Sequence, residues 1–302
     1  MKTSSLARPL IDRLDAAARA FAGTPGAPAF DFATPVGEAA LVGPDSVSWR
    51  VFRNPVALFV GGIAAVLLEL AEPRVRSGVW DHTSFRTDPL TRMRRTGLAA
   101  MVTVYGARSR AEAMIAGVGR MHGRVTGTTP DGVAYRADDP ALLDWVQATA
   151  SFGFLEAYHR FVRPLSDADK DRYYAEAAPA ARLYGATGAP ASLAAQRACF
   201  EAMAPRLEAS PIVFEFLEIM NRTAILPAPL GGLQRLFVRA GVDILPDWAR
   251  ARLGLGPRRG LRAWERALLR AAGATADRLH LASSPPAQAC VRLGLPADYL
   301  AP

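Results

Sequence analysis

Apolar residues recur along this chain at intervals of three and four, while alternating apolar and polar positions are scarce. The first period lines one face of an α-helix, so the predicted fold class is all-α, a single globular multi-helix domain. A first amphipathic helix is expected over about residues 6–21, followed by a glycine-, proline- and alanine-rich connector over 23–35. Residues 45–52, with Trp49, lead into the most apolar stretch, 55–71. That stretch contains Gly61, Gly62 and Glu69 and is closed by Pro73, which makes it too short and too interrupted for a bilayer span. A buried core helix is expected instead, with paired glycines that let another helix or a flat ligand approach the backbone.

Asp88 and Pro89 open the next helix: the carboxylate accepts free amides of the first turn, and proline takes a position whose missing donor costs nothing. This helix is expected to reach Tyr105, where Gly106 stops it. Ser109 and Glu112 have the spacing of a capping box for a helix running to about residue 125. Residues 126–136 form a loop with a short extended piece over 133–135. Asp139 and Pro140 then start the most aromatic helix, which carries Trp145, Phe152, Phe154, Tyr158 and Phe161. Further helices are expected over 166–184, 193–207, 211–226, 230–240, 246–253 and 261–272. The organisation predicted is an N-terminal helix and connector (1–44), a helical domain (45–275) and a C-terminal tail packed on it (276–302).

Half of the 302 residues are apolar, enough to bury a sizeable core. The formal charge is +8, and Lys2 and Lys170 are the only lysines. The arginines are spread through every segment without interleaved aromatics, which argues against nucleic-acid binding. What remains is a field that favours anionic partners, including a weak peripheral contact with an anionic membrane. Cys199 and Cys290 have neither disulfide-framework nor zinc spacing, and the N-terminus lacks an unbroken apolar stretch, so a cytoplasmic location is expected.

Candidate chemistry begins with four histidines, His82, His122, His159 and His280. His122 falls on the apolar face set by Ala111, Met114, Ile115, Val118 and Val125, four residues after Val118, and is expected to point inward. Spacing alone leaves two readings open, a hydrogen-bonded core histidine or a metal ligand. Haem needs one neutral imidazole on a rigid element, so a lone histidine is sufficient where zinc would require more. One helix earlier, Arg92 and Thr96 share a face; a guanidinium there calls for a carboxylate partner, either a structural acid or a haem propionate. Asp81 and His82 are expected to fix a loop rather than to act as an acid–base pair. His159 is expected to be satisfied and partly exposed, and the stripe from Phe152 to Phe161 to be core.

Several ordered pieces resemble one family. They are Ala71-Glu-Pro-Arg-Val, Gly78-Val-Trp-Asp-His-Thr-Ser-Phe, Asp88-Pro-Leu-Thr-Arg-Met-Arg-Arg-Thr, Met121-His-Gly-Arg-Val, Asp139-Pro and Trp145-Val-Gln-Ala-Thr. In this order they are similar to the catalytic domain of the rubber oxygenases, a family that includes the latex-clearing proteins and the fungal oxygenase of mycophenolic acid synthesis. The resemblance is clear over residues 46–165 and extends toward 275. It implies a globin-like helical fold around haem b, whose iron activates molecular oxygen to cleave a carbon–carbon bond of a hydrophobic, isoprenoid-like small molecule. His122 matches the proximal iron ligand, and Arg92 and Thr96 match the arginine and threonine of the family's arginine-x-x-lysine-threonine stretch. Together with Arg95 they are the candidate catalytic and cofactor-binding residues.

Three positions depart from the family pattern. Arg95 stands where rubber oxygenases carry a distal-face lysine, and arginine keeps the charge without readily losing a proton. Glu72 and Gln147 stand where many relatives have histidine. These departures put turnover and substrate in question more than haem binding, and they motivate an alternative, a non-catalytic haem or hydrophobic-ligand carrier of the same fold.

Overall fold

One side chain separates the segment around Trp49 from the long apolar stretch that follows it. Helix α1 (Val47–Arg53) ends and α2 (Pro55–Glu69) begins at Asn54. Its Oδ1 accepts the amides of Val56 at 3.0 Å and Ala57 at 3.3 Å, while Nδ2 donates to the carbonyl of Gly273 and the carboxylate of Asp277. Pro55 takes the first helical position, where no donor is needed. The two axes differ by 95°, and no single helix among the described residues is long and apolar enough to cross a membrane.

This computed structural model describes residues 15–16, 29–226 and 230–301. Most of the helix expected over 6–21, and the first half of the connector, lie outside them. Beyond α2 the order is α3 (Pro73–His82), α4 (Pro89–Tyr105), α5 (Arg108–His122), a hairpin of β1 (Thr126–Thr128) and β2 (Ala134–Arg136), then α6 (Pro140–Phe161) and α7 (Asp167–Tyr184). There follow α8 (Leu193–Met203), α9 (Pro211–Arg222), α10 (Gln234–Asp243), α11 (Asp247–Arg252), α12 (Ala263–Asp277) and α13 (Pro285–Arg292). With thirteen α-helices and one small sheet among the described residues, the chain is an all-α globular domain.

The core is organised on α2, which packs most extensively against α6, then against α10, with α12 lying on both α2 and α6. Glycine makes the central crossing close. A Cβ on Gly61 would lie 2.7 Å from the Gly153 carbonyl oxygen, and one on Gly153 would overlap the Gly61 carbonyl. Gly241 on α10 is equally committed, since its Cβ would fall 2.5 Å from Ile63. Without side chains at these points the backbones of three helices share one dry interior, and Val60, Ala64, Leu67 and Leu68 are almost completely buried within it.

Three local expectations are corrected. Ser109 and Glu112 form no capping box: α5 starts a residue earlier behind Ala107, and the Ser109 amide and hydroxyl donate to the Glu38 carboxylate. That helix also stops at His122, with Gly123 as its C-cap, so Val125 leads into the hairpin and lies off the helix. Finally, α3 was not anticipated. Glu72 caps α3 by accepting the Val75 amide at 2.8 Å, with Pro73 behind it, and it is almost fully buried. Its carboxylate also accepts from Arg74 Nε at 2.7 Å, so its oxygens serve the helix start. The C-terminal α13 is tied in by Arg292, whose buried guanidinium donates to the carbonyls of Phe32 and Glu38.

Candidate functional site

Every residue of α2 between Val60 and Leu68 is buried except Gly62 and Val66; with Phe59 and Glu69 these two are partly open, and the four recur at three- and four-residue steps. They mark one stripe of the central helix that is less completely covered than the rest. On α6, Val146, Gln147, Ala150 and Phe154 form a similar half-open stripe, and Phe154 is the nearest group to a Cβ built on Gly62, at 4.0 Å. The adjacent glycines thus have different duties. Gly61 admits α6, whereas a Cβ on Gly62 would make only ordinary contact with the Phe154 ring.

Polar groups from four helices come near one another around Glu69. Glu69 is the last residue of α2; it is half-buried by surface yet lies deep among protein atoms, as a group lining an internal opening would be. Burial pushes its carboxyl up to about 7, against the opposing charge of Arg92 and a long 3.4 Å hydrogen bond from Thr149 Oγ1. Arg92, half-buried on α4, has no carboxylate within ion-pair distance among the described residues and no side-chain hydrogen bond. Burial is also the main cause lowering its affinity for a proton, with the charge of Glu69 opposing.

His122, at the end of α5, completes the group. Its Nδ1 is buried without a hydrogen-bond partner, and no protein group bonds to its Nε2. Burial, then the charge of Arg92, lowers its pKa below the usual 6.5, with Asp138 opposing, so the ring is neutral at pH 7. One turn earlier on the same side, a Cβ at Gly119 would meet nothing within 4 Å. A neutral imidazole with an unbonded buried nitrogen, next to bare helix backbone, has the chemistry of a metal ligand. The unpaired guanidinium of Arg92 suits a carboxylate partner.

The remaining expected residues are placed as follows. Thr96 is exposed, and its hydroxyl donates to the Arg92 carbonyl at 3.0 Å within α4. Arg95 is exposed, and its charge helps hold the Asp88 carboxyl low, after the hydrogen bonds from Thr91. Gln147 donates to Ser151 Oγ at 3.0 Å. His82, exposed at the end of α3, shares a 3.0 Å hydrogen bond with Tyr135 and so holds the hairpin, while His159 accepts the Leu165 amide at 2.9 Å. His280 is exposed. No group of three or more metal-ligating side chains occurs among the described residues.

Glu69 is the residue of this cluster that sequence reasoning did not single out. Its signal was a lone acid ending an otherwise uncharged apolar helix.

In class, then, this is an all-α domain whose packed helices bring a neutral histidine, an unpaired arginine and a proton-holding glutamate near one another. The family described as ER-bound oxygenase mpaB/B'/rubber oxygenase, catalytic domain, matches residues 49–277, and the chain belongs to that family. It is an oxygenase catalytic domain and, as such, an oxidoreductase. No curated protein and no solved structure matches the chain.

Proposed function

We propose that the chain is a haem b-dependent oxygenase acting on a hydrophobic, isoprenoid- or lipid-like small molecule, with oxidative carbon–carbon bond cleavage as its reaction. The observation that carries this reading is the imidazole of His122: neutral, half-buried and unbonded at both nitrogens, beside an arginine without a carboxylate. His122 would hold the haem iron through a ring nitrogen, and Arg92 would hold a propionate, with Thr96 on the same helix. When bound, haem supplies the oxygen activation that no protein side chain provides. The chain's own residues do the rest. Phe59, Val66 and Phe154, half-buried along the partly open stripes of α2 and α6, would offer a hydrophobic substrate apolar surface. Glu69, with its pKa near 7, can hold or release a proton at its carboxyl oxygen under working conditions.

An absorption spectrum after haem reconstitution tests this directly. A Soret band at one haem per chain is expected, and its loss in His122→Ala with helical circular dichroism unchanged. Absence of the band in the wild type overturns the reading, and undiminished uptake in the variant removes His122 from the ligand role. A second reading, a haem or hydrophobic-ligand carrier without turnover, is favoured by the exposure of Arg95 and by the Thr96 hydroxyl being occupied within its own helix. Oxygen consumption by the reconstituted protein with a panel of isoprenoids separates the two.

A further inference from the structure

Helix α12 has an outward face unlike any expected of a solvated helix. Ala263, Trp264, Ala267, Leu268, Ala271 and Thr275 recur at three- and four-residue steps and are all exposed, Trp264 at 60% and Leu268 at 44%. A solvated helix face carries charges of both signs. Here the two acids of the helix, Glu265 and Asp277, are buried on the opposite side, paired with Arg239 and Arg53 respectively. The charged residues bordering the open face are all cations. Arg258 and Arg262 flank its start, Arg270 lies along one edge and Arg278 follows its end; none has a carboxylate within ion-pair distance among the described residues.

We propose that this face of α12 is an interfacial docking surface for an anionic lipid bilayer, with Trp264 and Leu268 entering the headgroup–acyl boundary and the four arginines meeting lipid phosphates and carboxylates. Apolar side chains centred on an exposed tryptophan and bordered by arginine, with no acid between, combine the two attractions that hold an amphipathic helix in a membrane surface. A second copy of the chain fits less well. A two-fold contact through this face would set the arginine border of one protomer against that of the other, and like charges across an interface oppose association. A lipid surface supplies both the missing negative charge and an apolar layer along the whole helix. Haem has no part in this proposal, and it stands or falls separately from the reading of His122.

The test is sedimentation of the full chain with vesicles of phosphatidylcholine alone or with added phosphatidylserine, at low and at high salt. The wild type is expected to pellet with the phosphatidylserine vesicles at low salt and to be released by salt. Trp264→Ser/Leu268→Ser is expected to weaken the partition by about tenfold or more with helical content unchanged, because these exposed side chains carry the buried apolar area. Arg258→Gln/Arg262→Gln/Arg278→Gln is expected to abolish the preference for phosphatidylserine. The proposal is overturned if the wild type does not pellet at low salt, if the Trp264/Leu268 variant binds as the wild type does, or if phosphatidylcholine alone binds equally well. It is also overturned if the wild type self-associates and the Trp264/Leu268 variant is monomeric while vesicle binding is absent; the occupant is then a second copy.

Discussion

Two buried carboxylates close to arginines have opposite fates in this fold. Asp243 ends α10 with both oxygens occupied: Arg266 donates Nη2 at 2.7 Å and Nε at 2.9 Å, and the Leu261 amide donates at 2.9 Å. Burial pushes its carboxyl up, but these hydrogen bonds and the surrounding charge outweigh it and hold the pKa below the usual range. Glu69 ends α2 with only the long bond from Thr149, and burial prevails, holding it near 7. Arg92 is near enough to act on Glu69 electrostatically but forms no ion pair with it. One carboxylate is spent on architecture, tying α10 to α12. The other, like the imidazole of His122, retains an unmet capacity that only a ligand or a proton can satisfy.

The same contrast separates Gly61 from Gly62, and the largest predicted effect lies on its closed side. Gly61→Val would drive a branched side chain into the backbone of Gly153 and Phe154, at distances no rotamer relieves. A loss of about 3 kcal/mol or more is expected, measured by denaturant unfolding. A variant with wild-type stability would show that the α2–α6 crossing is looser than described.

Asp243→Ala comes next. It would leave the Leu261 amide and the Arg266 guanidinium without their acceptor, at a cost of about 3 kcal/mol, as for a partner lost from a buried, hydrogen-bonded pair. Because the folded pKa is depressed, the stability this aspartate contributes is present above its unfolded value of 3.8 and fades as pH falls through the lower folded value. The difference between wild type and variant should therefore shrink in strong acid and be constant above about pH 5.

Glu69→Gln should act with the opposite sign. The folded carboxyl titrates near 7 and the unfolded one at 4.5, so between these values the folded state holds the extra proton and stability declines as pH rises. An amide removes that decline. In cofactor-free protein the variant should match the wild type at pH 4.5 and exceed it by about 2 kcal/mol at pH 8, an order-of-magnitude figure from the 4.5-to-7 displacement, discounted for partial solvent contact. Equal slopes of stability against pH in the two proteins would place Glu69 in the same category as Asp243.

How far the sequence foretold these differences depends on how local their causes are. Helix starts were legible where aspartate precedes proline, as at Asp88 and Asp139, because cap and first residue are neighbours in the chain. The start of α3 has the same logic in Glu72 and Pro73 but uses a less common capping residue, and it was overlooked. Ser109 was misjudged because its partner, Glu38, lies 71 residues away. In the site, the inward position of His122 followed from helical period, and its assignment to iron came from family resemblance. The role of Glu69 was not legible, since a lone acid at a helix end acquires its shifted proton affinity from groups on other helices.

A smaller effect tests whether the site residues act on one another. Arg92→Met removes the cation that helps keep His122 neutral and helps keep Glu69 ionised, so both titrations should move up together. For His122 the wild-type folded pKa lies below 6.5, so the folded state is progressively penalised as pH falls through 6.5, where the unfolded ring takes its proton first. The variant should show less of that penalty. Nuclear magnetic resonance of the ring protons would follow the imidazole titration; a titration unmoved by the substitution would mean that burial alone sets the state of His122.

The smallest stability change should carry the sharpest functional one. Gly62→Ala places a methyl group on the partly open stripe of α2 without a clash, with Phe154 Cε1 its nearest neighbour at 4.0 Å. In the ligand-free protein the change should stabilise by about 0.5–1 kcal/mol, because alanine loses less backbone freedom than glycine in a helix. If that stripe is the wall against which a flat cofactor lies, the same methyl group stands in its way. The variant should then melt higher than the wild type when empty and gain less stability on adding haem. Were Gly62→Ala to retain the full haem-dependent gain, the openness at this glycine would belong to solvent, and the slot would have to lie nearer Gly119 and His122.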